Sequence, residues 1–171
     1  MKKAYPFLLI AFALCLVPSH LLAQKCKYAL DEKDAMTGAI VRRTTVKLKG
    51  YFVLGFYRNA DDHRVELEVR FTGERNFTVP EGNELQLKLG NGDMLTVLSA
   101  QTASPTSYVL GTQIMTNYAL SYHCSVADMQ RIASSGFSVV RVKLGDDTLT
   151  YEVKEKEVAE TAAKAACALA D

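Results

Sequence analysis

The chain has 171 residues, of which 20 are basic and 19 are acidic, so its formal net charge at pH 7 is +1. This length is typical of one domain with a core of its own. The balanced charge excludes the basic patch or stripe by which proteins bind nucleic acid, and there is no polybasic segment to hold an anionic membrane surface.

Residues 1–23 have the composition of an export signal. Lys2 and Lys3 precede an apolar segment over 7–17, and the stretch ends on a small residue, Ala23. This apolar segment has about half of the roughly 20 residues that a membrane-spanning helix needs. The order predicts a signal peptide that is cleaved after residue 23. The mature protein is then periplasmic or secreted and has no membrane anchor.

The cysteines that remain after this cleavage are Cys26, Cys124 and Cys167. An odd number in an oxidising compartment allows at most one internal disulfide. A bond between Cys26 and Cys167 would hold both ends of the chain to the body of the protein, because Cys167 lies on a helix side that a tail crossing outside the helix can reach. Three buried, reduced thiols are the alternative. The spacing of the cysteines predicts no zinc site.

The mature chain is predicted to begin with an irregular lead-in segment over 24–42, because these residues are mostly polar and show no regular period. A single α+β domain is predicted over 43–171. Over 44–57, one set of alternate residues is apolar, which predicts one long strand. Because a glycine weakens regular pleating, we expect this strand to bend or bulge at Gly50 or Gly55.

The middle of the chain is predicted to be antiparallel sheet. Residues 63–71 alternate between apolar and polar side chains, which is typical of a strand with one solvated face. An Asn-Gly turn joins two apolar strands in a hairpin over 85–98. Residues 99–111 are rich in Ser, Thr, Ala and Pro and are predicted to form a surface loop, and a strand follows over 112–123.

Two helices are predicted late in the chain. The first begins after Ser125, whose hydroxyl suits an N-cap, and ends at Gly136. Strands over 137–144 and 149–153 separate it from an alanine-rich helix over 155–170. The sequence therefore predicts an α+β fold, a mostly antiparallel sheet of about seven strands with two late helices, the last at the C-terminus.

No catalytic residue, metal site or cofactor is predicted. His123 and Cys124 are adjacent, but consecutive side chains of a strand point to opposite faces, so this histidine cannot activate the thiol. A distant histidine, His63, would be needed instead. Asp61 and Asp62 precede it, but the segment lacks the regular spacing of oxygen ligands in a calcium loop, and turn formation explains the aspartates.

Three tyrosines are the candidate binding residues. Tyr51 and Tyr57 lie on the side of the predicted 44–57 strand that is opposite its main apolar row, and Tyr108 lies in the predicted loop beside Pro105. Exposed tyrosines supply apolar area and a hydroxyl group at low entropic cost, so recognition surfaces use them. The expected partner is a protein, a glycan or a small ligand. Burial of this face under a helix or a second sheet is the alternative.

The C-terminal third has a pattern of its own. It combines a strand that ends near Tyr-Ala-Leu-Ser-Tyr at 118–122, a helix over 126–133 and the segment Gly-Phe-Ser-Val-Val-Arg-Val at 136–142, followed by a returning strand and a C-terminal helix. This pattern resembles small exported proteins of unknown function from the envelopes of Gram-negative, gut-type bacteria. The resemblance implies an envelope protein and assigns no functional residue.

Three functions stay open on the sequence. The first is an exported, non-enzymatic envelope module that binds a ligand, a glycan or a protein through its sheet face or through the loop over 99–111. The second is a structural or assembly role in the envelope, in which an unpaired cysteine or an exposed strand edge joins copies. The third is a secreted hydrolase or a hydrolase inhibitor. A pocket with converging polar groups would favour the enzyme, whereas a flat tyrosine face would favour binding.

Overall fold

Two antiparallel sheets and two helices make up the described part of the protein. The structure is a computed structural model that describes residues 26–48 and 52–170. The signal peptide predicted over 1–23 lies outside the described residues, and so do Gly50 and Tyr51. The described elements are β1 (Leu30–Lys33), β2 (Ile40–Lys47), β3 (Phe52–Asn59), β4 (Asp62–Thr72), β5 (Glu84–Leu89), β6 (Met94–Leu98), β7 (Thr106–Leu110), β8 (Gln113–His123), α1 (Val126–Ser135), β9 (Phe137–Leu144), β10 (Asp147–Glu152) and α2 (Glu155–Leu169).

The larger sheet has six strands in the order β1-β2-β3-β4-β8-β7, and the smaller sheet has four in the order β10-β9-β5-β6. Every neighbouring pair is antiparallel. The predicted fold class, mostly antiparallel sheet with two late helices, is confirmed. The described residues form ten strands rather than about seven. The three additional strands arise where the chain turns within 44–57, in the lead-in segment and in the predicted 99–111 loop.

The prediction of one long strand over 44–57 is wrong, because this segment spans two strands of a hairpin. β2 pairs with β3 so that Val46 lies opposite Leu54 and Thr44 lies opposite Phe56. Each even-numbered residue therefore faces another even-numbered residue. The alternation of apolar side chains continues unchanged through the reversal, so a period of two residues does not distinguish this hairpin from a single strand.

The prediction that the lead-in segment over 24–42 is irregular is wrong in part. It contains β1, which pairs with β2, and the beginning of β2 itself. The chain turns between them after Asp34, whose carboxylate accepts hydrogen bonds from the backbone N–H groups of Met36 at 2.9 Å and Thr37 at 2.6 Å. β1 is the outermost strand and its sequence is Leu-Asp-Glu-Lys, so it lacks the apolar alternation by which a half-buried strand is recognised.

The surface loop predicted over 99–111 is wrong in part, because Thr106–Leu110 form β7. β7 is joined to β8 by a two-residue connection, Gly111 and Thr112, and the two strands pair along the whole of β7. All five residues of β7 are exposed. Apolar alternation marks a strand only where one face is buried, so the sequence of β7 lacks this alternation.

A single apolar core fills the space between the two sheets. In β4, Val65, Leu67 and Val69 are buried in this core, while Glu66 and Glu68 lie on the opposite face of the sheet. We call that opposite face the outward face of the larger sheet. The largest buried side chains of the core include Tyr118, Tyr122, Phe56 and Phe137.

The two helices pack against each other and close the core. The first begins and ends as predicted: the backbone N–H of Asp128 donates a hydrogen bond to the Ser125 hydroxyl at 3.0 Å, and α1 ends at Gly136, which has a φ of 63°. α2 lies against the core side of β2 and β3. There the Thr44 hydroxyl donates a hydrogen bond to the carbonyl of Lys164 at 2.8 Å.

Both ends of the described chain meet beside α2. A disulfide joins Cys26 to Cys167, so the bond considered from the sequence is present, and Cys124 is a free, buried thiol. Two arginines of the larger sheet donate hydrogen bonds to carbonyl groups at the end of the helix: Arg58 to Leu169 and Ala170, and Arg42 to Ala170. Positive charge at this end of the helix is stabilising, because the C-terminus is the negative pole of the helix dipole.

Candidate binding surface at the edge of the larger sheet

Tyr57 lies on the outward face of the larger sheet, opposite Arg43 in β2 and Arg64 in β4. It is half-buried, and the guanidinium carbon of Arg64 lies 5.9 Å from the centroid of its ring. A cation in this position is attracted to the ring face and covers part of it. Tyr57 is therefore engaged within the protein rather than presented to a ligand.

The charged side chains around Tyr57 are paired with their neighbours. The nitrogen–oxygen distances are 2.5 Å for Arg43 and Glu66, 2.5 Å for Arg64 and Asp62, and 2.6 Å for Arg70 and Glu68. Hydrogen bonds to these carboxylates raise the pKa values of Arg64 and Arg70 above their usual range. Exposed pairs of this kind contribute at most about 1 kcal/mol each to stability. Their main effect is that this part of the outward face has no concentration of one charge.

Tyr108 lies far from Tyr57. It is in β7 and pairs with Met115 of β8, whereas the row of residues through Tyr57 crosses β8 at His123. The eight positions between these two residues of β8 correspond to about 26 Å along the strand. The structure therefore does not bring Tyr57 and Tyr108 into one patch, and Tyr51 lies outside the described residues.

Cys124 is held as a protonated thiol in the core. It is buried, and its Sγ donates a hydrogen bond to the carbonyl of Ser125 at 3.6 Å. Burial, helped by the charge of Asp128, raises the pKa of the thiol to about 12. The thiolate that a nucleophile needs is therefore scarce at neutral pH. The adjacent His123 is exposed, since alternate side chains of a strand point to opposite faces.

This raised pKa predicts a loss of stability in alkaline solution. Below the ordinary thiol pKa of 9.0, the contribution of the protonated Cys124 thiol to the free energy of unfolding is present in full. This contribution is lost as the pH rises towards the pKa of about 12 in the folded protein. Within that window the folded state binds one proton more than the unfolded state, so the free energy of unfolding should fall by about 1.4 kcal/mol per pH unit because of this group. Denaturant unfolding across the window should show this slope in the wild type and its loss in Cys124→Ala. Equal slopes would contradict the buried, protonated thiol.

Two surface grooves follow α2. The first, of about 450 Å³, lies beside the disulfide over a floor of alanines, and its charged lining residues are Lys27, Lys156, Glu160 and Lys164. The second, of about 660 Å³, lies between α2 and the end of α1 and is lined mainly by small side chains. Within residues 26–48 and 52–170, no group of three His, Cys, Asp or Glu side chains is placed to hold a metal ion. The helices in these ranges are too short or too polar to cross a membrane.

Four of the exposed large apolar side chains cluster in the hairpin of β7 and β8. Val109 is 71%, Leu110 63%, Ile114 46% and Tyr108 38% exposed. β7 is the last strand of the larger sheet, and no other described strand pairs with its outer side. We call the outer side of Thr106–Leu110, together with these four side chains, the β7 edge.

Side-chain hydrogen bonds fix the position of β7. The hydroxyl of Ser107 lies 3.1 Å from the hydroxyl of Thr116. Thr116 in turn donates a hydrogen bond to the carbonyl of Gly73 at 2.8 Å and accepts one from the backbone N–H of Arg75 at 3.1 Å. A strand that is held in this way loses little freedom when a partner binds, which favours binding.

The register of the hairpin decides which backbone groups of β7 point outward. A two-residue connection makes Leu110 and Gln113 a hydrogen-bonded pair, and hydrogen-bonded pairs alternate with non-hydrogen-bonded ones. Val109 and Ile114 are therefore a non-hydrogen-bonded pair. In agreement, the carbonyl of Ile114 accepts a hydrogen bond at 2.8 Å on the side of β8 away from β7. The N–H and C=O groups of Ser107 and Val109 consequently point outward from the sheet.

Val109, Leu110 and Ile114 are not identified by the tyrosine argument from the sequence. A different signal was present, because no Asp, Glu, Lys or Arg occurs between Asp93 and Asp128, whereas charged residues make up 23% of the whole chain. A long uncharged segment that contains several large apolar side chains either buries them or presents an apolar surface. In this protein part of the segment is buried, and its exposed large apolar side chains are Met94, Leu98 and Val126 together with the four of the β7–β8 hairpin.

No family model, curated protein or solved structure matches this chain. The resemblance of the C-terminal third to envelope proteins therefore stays a prediction. The function has to be inferred from the surface itself.

Proposed function

We propose that this protein is an exported, non-enzymatic module of the cell envelope that binds a partner protein at the β7 edge. The observation that carries the proposal is the chemistry of this edge. Proteins protect exposed strand edges with charged side chains, proline, bulges or a covering element. Residues 106–110 contain neither a charge nor a proline, and the last two residues of the strand, Val109 and Leu110, are exposed.

An extended segment of a partner protein suits this edge better than a glycan or a small ligand does. Strand addition would satisfy the outward backbone groups of Ser107 and Val109 and cover the exposed apolar side chains. The tyrosine face is less suited to a ligand, because Arg64 covers part of the ring of Tyr57. A secreted hydrolase has less support, since Cys124 is buried and protonated.

Two features support export. Residues 1–23 have the order of a signal peptide. The disulfide between Cys26 and Cys167 is of a kind that persists in oxidising compartments such as the periplasm. Together they favour a periplasmic or secreted protein whose mature chain begins at Gln24.

A photo-crosslinking residue at position 110 should capture the partner in cells that export the protein. With Leu110 replaced by p-benzoylphenylalanine, we expect a discrete adduct of higher mass. Addition of Val109→Pro should abolish it, because this change removes an outward N–H without breaking a hydrogen bond to β8. The control position is Thr148 in β10, which is also exposed on a sheet edge but is next to Asp147.

An adduct from position 110 that is no stronger than the one from position 148, or that survives Val109→Pro, would overturn the β7 edge as the binding surface. Export is tested on the same preparation. Mass spectrometry of the purified protein should find Gln24 as the first residue, and a retained Met1 would contradict the cleaved signal peptide.

A further inference from the structure

We infer that the partner at the β7 edge is a second copy of this chain, whose β7 pairs antiparallel with the first across a two-fold axis at Tyr108. The inference rests on the proposed function and names its partner. The pairing would join two larger sheets into one continuous sheet through an interface that is the same patch on both copies. The register of the outward groups, the bounds of the strand and its lack of charge carry the inference.

The outward backbone groups select the register. In an antiparallel pair, a residue whose N–H and C=O groups point towards the partner lies opposite another such residue. With the axis at Tyr108, Ser107 lies opposite the partner's Val109, and Val109 lies opposite the partner's Ser107. Each of these pairs exchanges two hydrogen bonds, so every outward N–H and C=O group of Ser107 and Val109 finds a partner.

The neighbouring registers satisfy fewer groups. An axis at Ser107 places Val109 opposite the partner's Pro105, which has no N–H to donate. An axis at Val109 places Ser107 opposite the partner's Gly111, which lies in the turn with a φ of 62° and does not extend the strand. Pro105 and Gly111 thus bound β7 on its two sides, and Tyr108 is its centre.

The side chains that meet across this axis are compatible. Thr106 lies opposite the partner's Leu110, and Tyr108 lies opposite the partner's Tyr108. Like charges directly opposite each other destabilise a cross-strand pair. No charged side chain is present in β7, so the axis brings no like charges together. Val109 and Leu110, which are 71% and 63% exposed in the single chain, gain apolar contacts.

The other described sheet edges do not favour pairing with themselves. In β1, an axis at Asp31 or Glu32 places an acid opposite the same acid. β10 carries Asp147 and Glu152 at its ends. β6 is uncharged, but Ser99 directly after it bridges to β8, so one end of that edge is already joined to the larger sheet.

Cysteine substitutions in the mature protein test the register. Tyr108→Cys should form a disulfide with itself across the axis, because the Cα atoms of a non-hydrogen-bonded pair are about 4.5 Å apart, within the range for a disulfide. Ser107→Cys alone should not, since its two copies are about 8 Å apart. A mixture of Ser107→Cys and Val109→Cys should give the mixed dimer. Thr148→Cys is the control that should stay monomeric.

Sedimentation of the uncrosslinked protein tests the association itself. An interface of one short strand is at the weak end of protein interfaces, so we expect a dimer that dissociates on dilution. Val109→Pro should be monomeric at all concentrations, with the unfolding midpoint of dilute, monomeric wild type. The Thr148→Pro control should leave the dimer intact.

The outcomes separate this inference from the proposed function. A wild type that is monomeric at every concentration, together with a position-110 adduct whose mass is not twice that of the chain, would overturn self-pairing and leave a different protein as the partner. A dimer in which Ser107→Cys alone crosslinks as well as the mixture would overturn the Tyr108 register. A monomer with no adduct from position 110 would overturn both.

Discussion

Replacing Cys26 and Cys167 together by serine is expected to lower the free energy of unfolding of the mature protein by about 3 to 5 kcal/mol. The two cysteines are 141 residues apart in the sequence. A cross-link over so long a segment removes much of the freedom of the unfolded chain, and the cost of losing it grows with the length of the closed loop. Denaturant unfolding of the oxidised wild type and of the double variant measures the difference.

Wild-type protein in a reductant is the matched control. It lacks the cross-link but keeps both cysteines, so it should unfold at the same denaturant concentration as the double variant. Cys124 is buried and unchanged in both proteins. A double variant as stable as the oxidised wild type would contradict a stabilising disulfide. A variant clearly less stable than the reduced wild type would assign the loss to the serines instead.

Gly136→Ala is expected to destabilise the protein by about 3 kcal/mol, the sum of backbone strain and a clash. Gly136 has φ 63° and ψ −164°, a conformation that is essentially restricted to glycine. A Cβ atom there would lie 2.2 Å from the carbonyl oxygen of Val158 and 2.9 Å from the hydroxyl of Thr161. Both atoms belong to α2, so the added methyl group forces the end of α1 away from the helix that it packs on.

Gly82→Ala is the matched control for this prediction. Gly82 also has a positive φ, 78°, but a Cβ atom there would meet nothing within 4 Å. Its replacement should cost about 1 kcal/mol, the backbone term alone. The difference between the two variants in denaturant unfolding measures the clash. Equal losses would show that α1 and α2 do not approach as closely as described.

The ends of α1 were predictable because they depend on residues next to each other in the chain. Ser125 supplies an acceptor for the N–H of Asp128, and Gly136 takes the positive φ, 63°, at which the helix ends. The face of β4 that enters the core was predictable for the same reason, since alternation is a property of one strand. Both features require no knowledge of what packs against them.

Strand pairing was less accessible to prediction. The residues of 44–57 have the same parity before and after the reversal, so one strand and a hairpin give the same pattern. β1 and β7 lie at the two edges of the larger sheet, where burial does not impose an apolar face. Their strand conformation comes from hydrogen bonds to β2 and β8, which are partners that a local pattern does not show.

The candidate site shows the same division. Tyr108 was a candidate binding residue from the sequence, and it is part of the β7 edge. Its distance from Tyr57, however, depends on where β7 joins the sheet. The exposure of Val109 and Leu110 also depends on that position. An apolar side chain is a core residue or a surface residue according to what lies beside it, and its identity alone does not decide between them.

The sequence by itself determined the fold class, the two late helices and the residues at which these helices begin, because periodicity and capping act between residues close in the chain. Only the tertiary structure decided that Cys26 meets Cys167, that 44–57 reverses direction and that β7 is left at an edge with outward backbone groups. These three features depend on contacts between distant segments. Such contacts form when whole sheets pack, and a local pattern of side chains does not encode them.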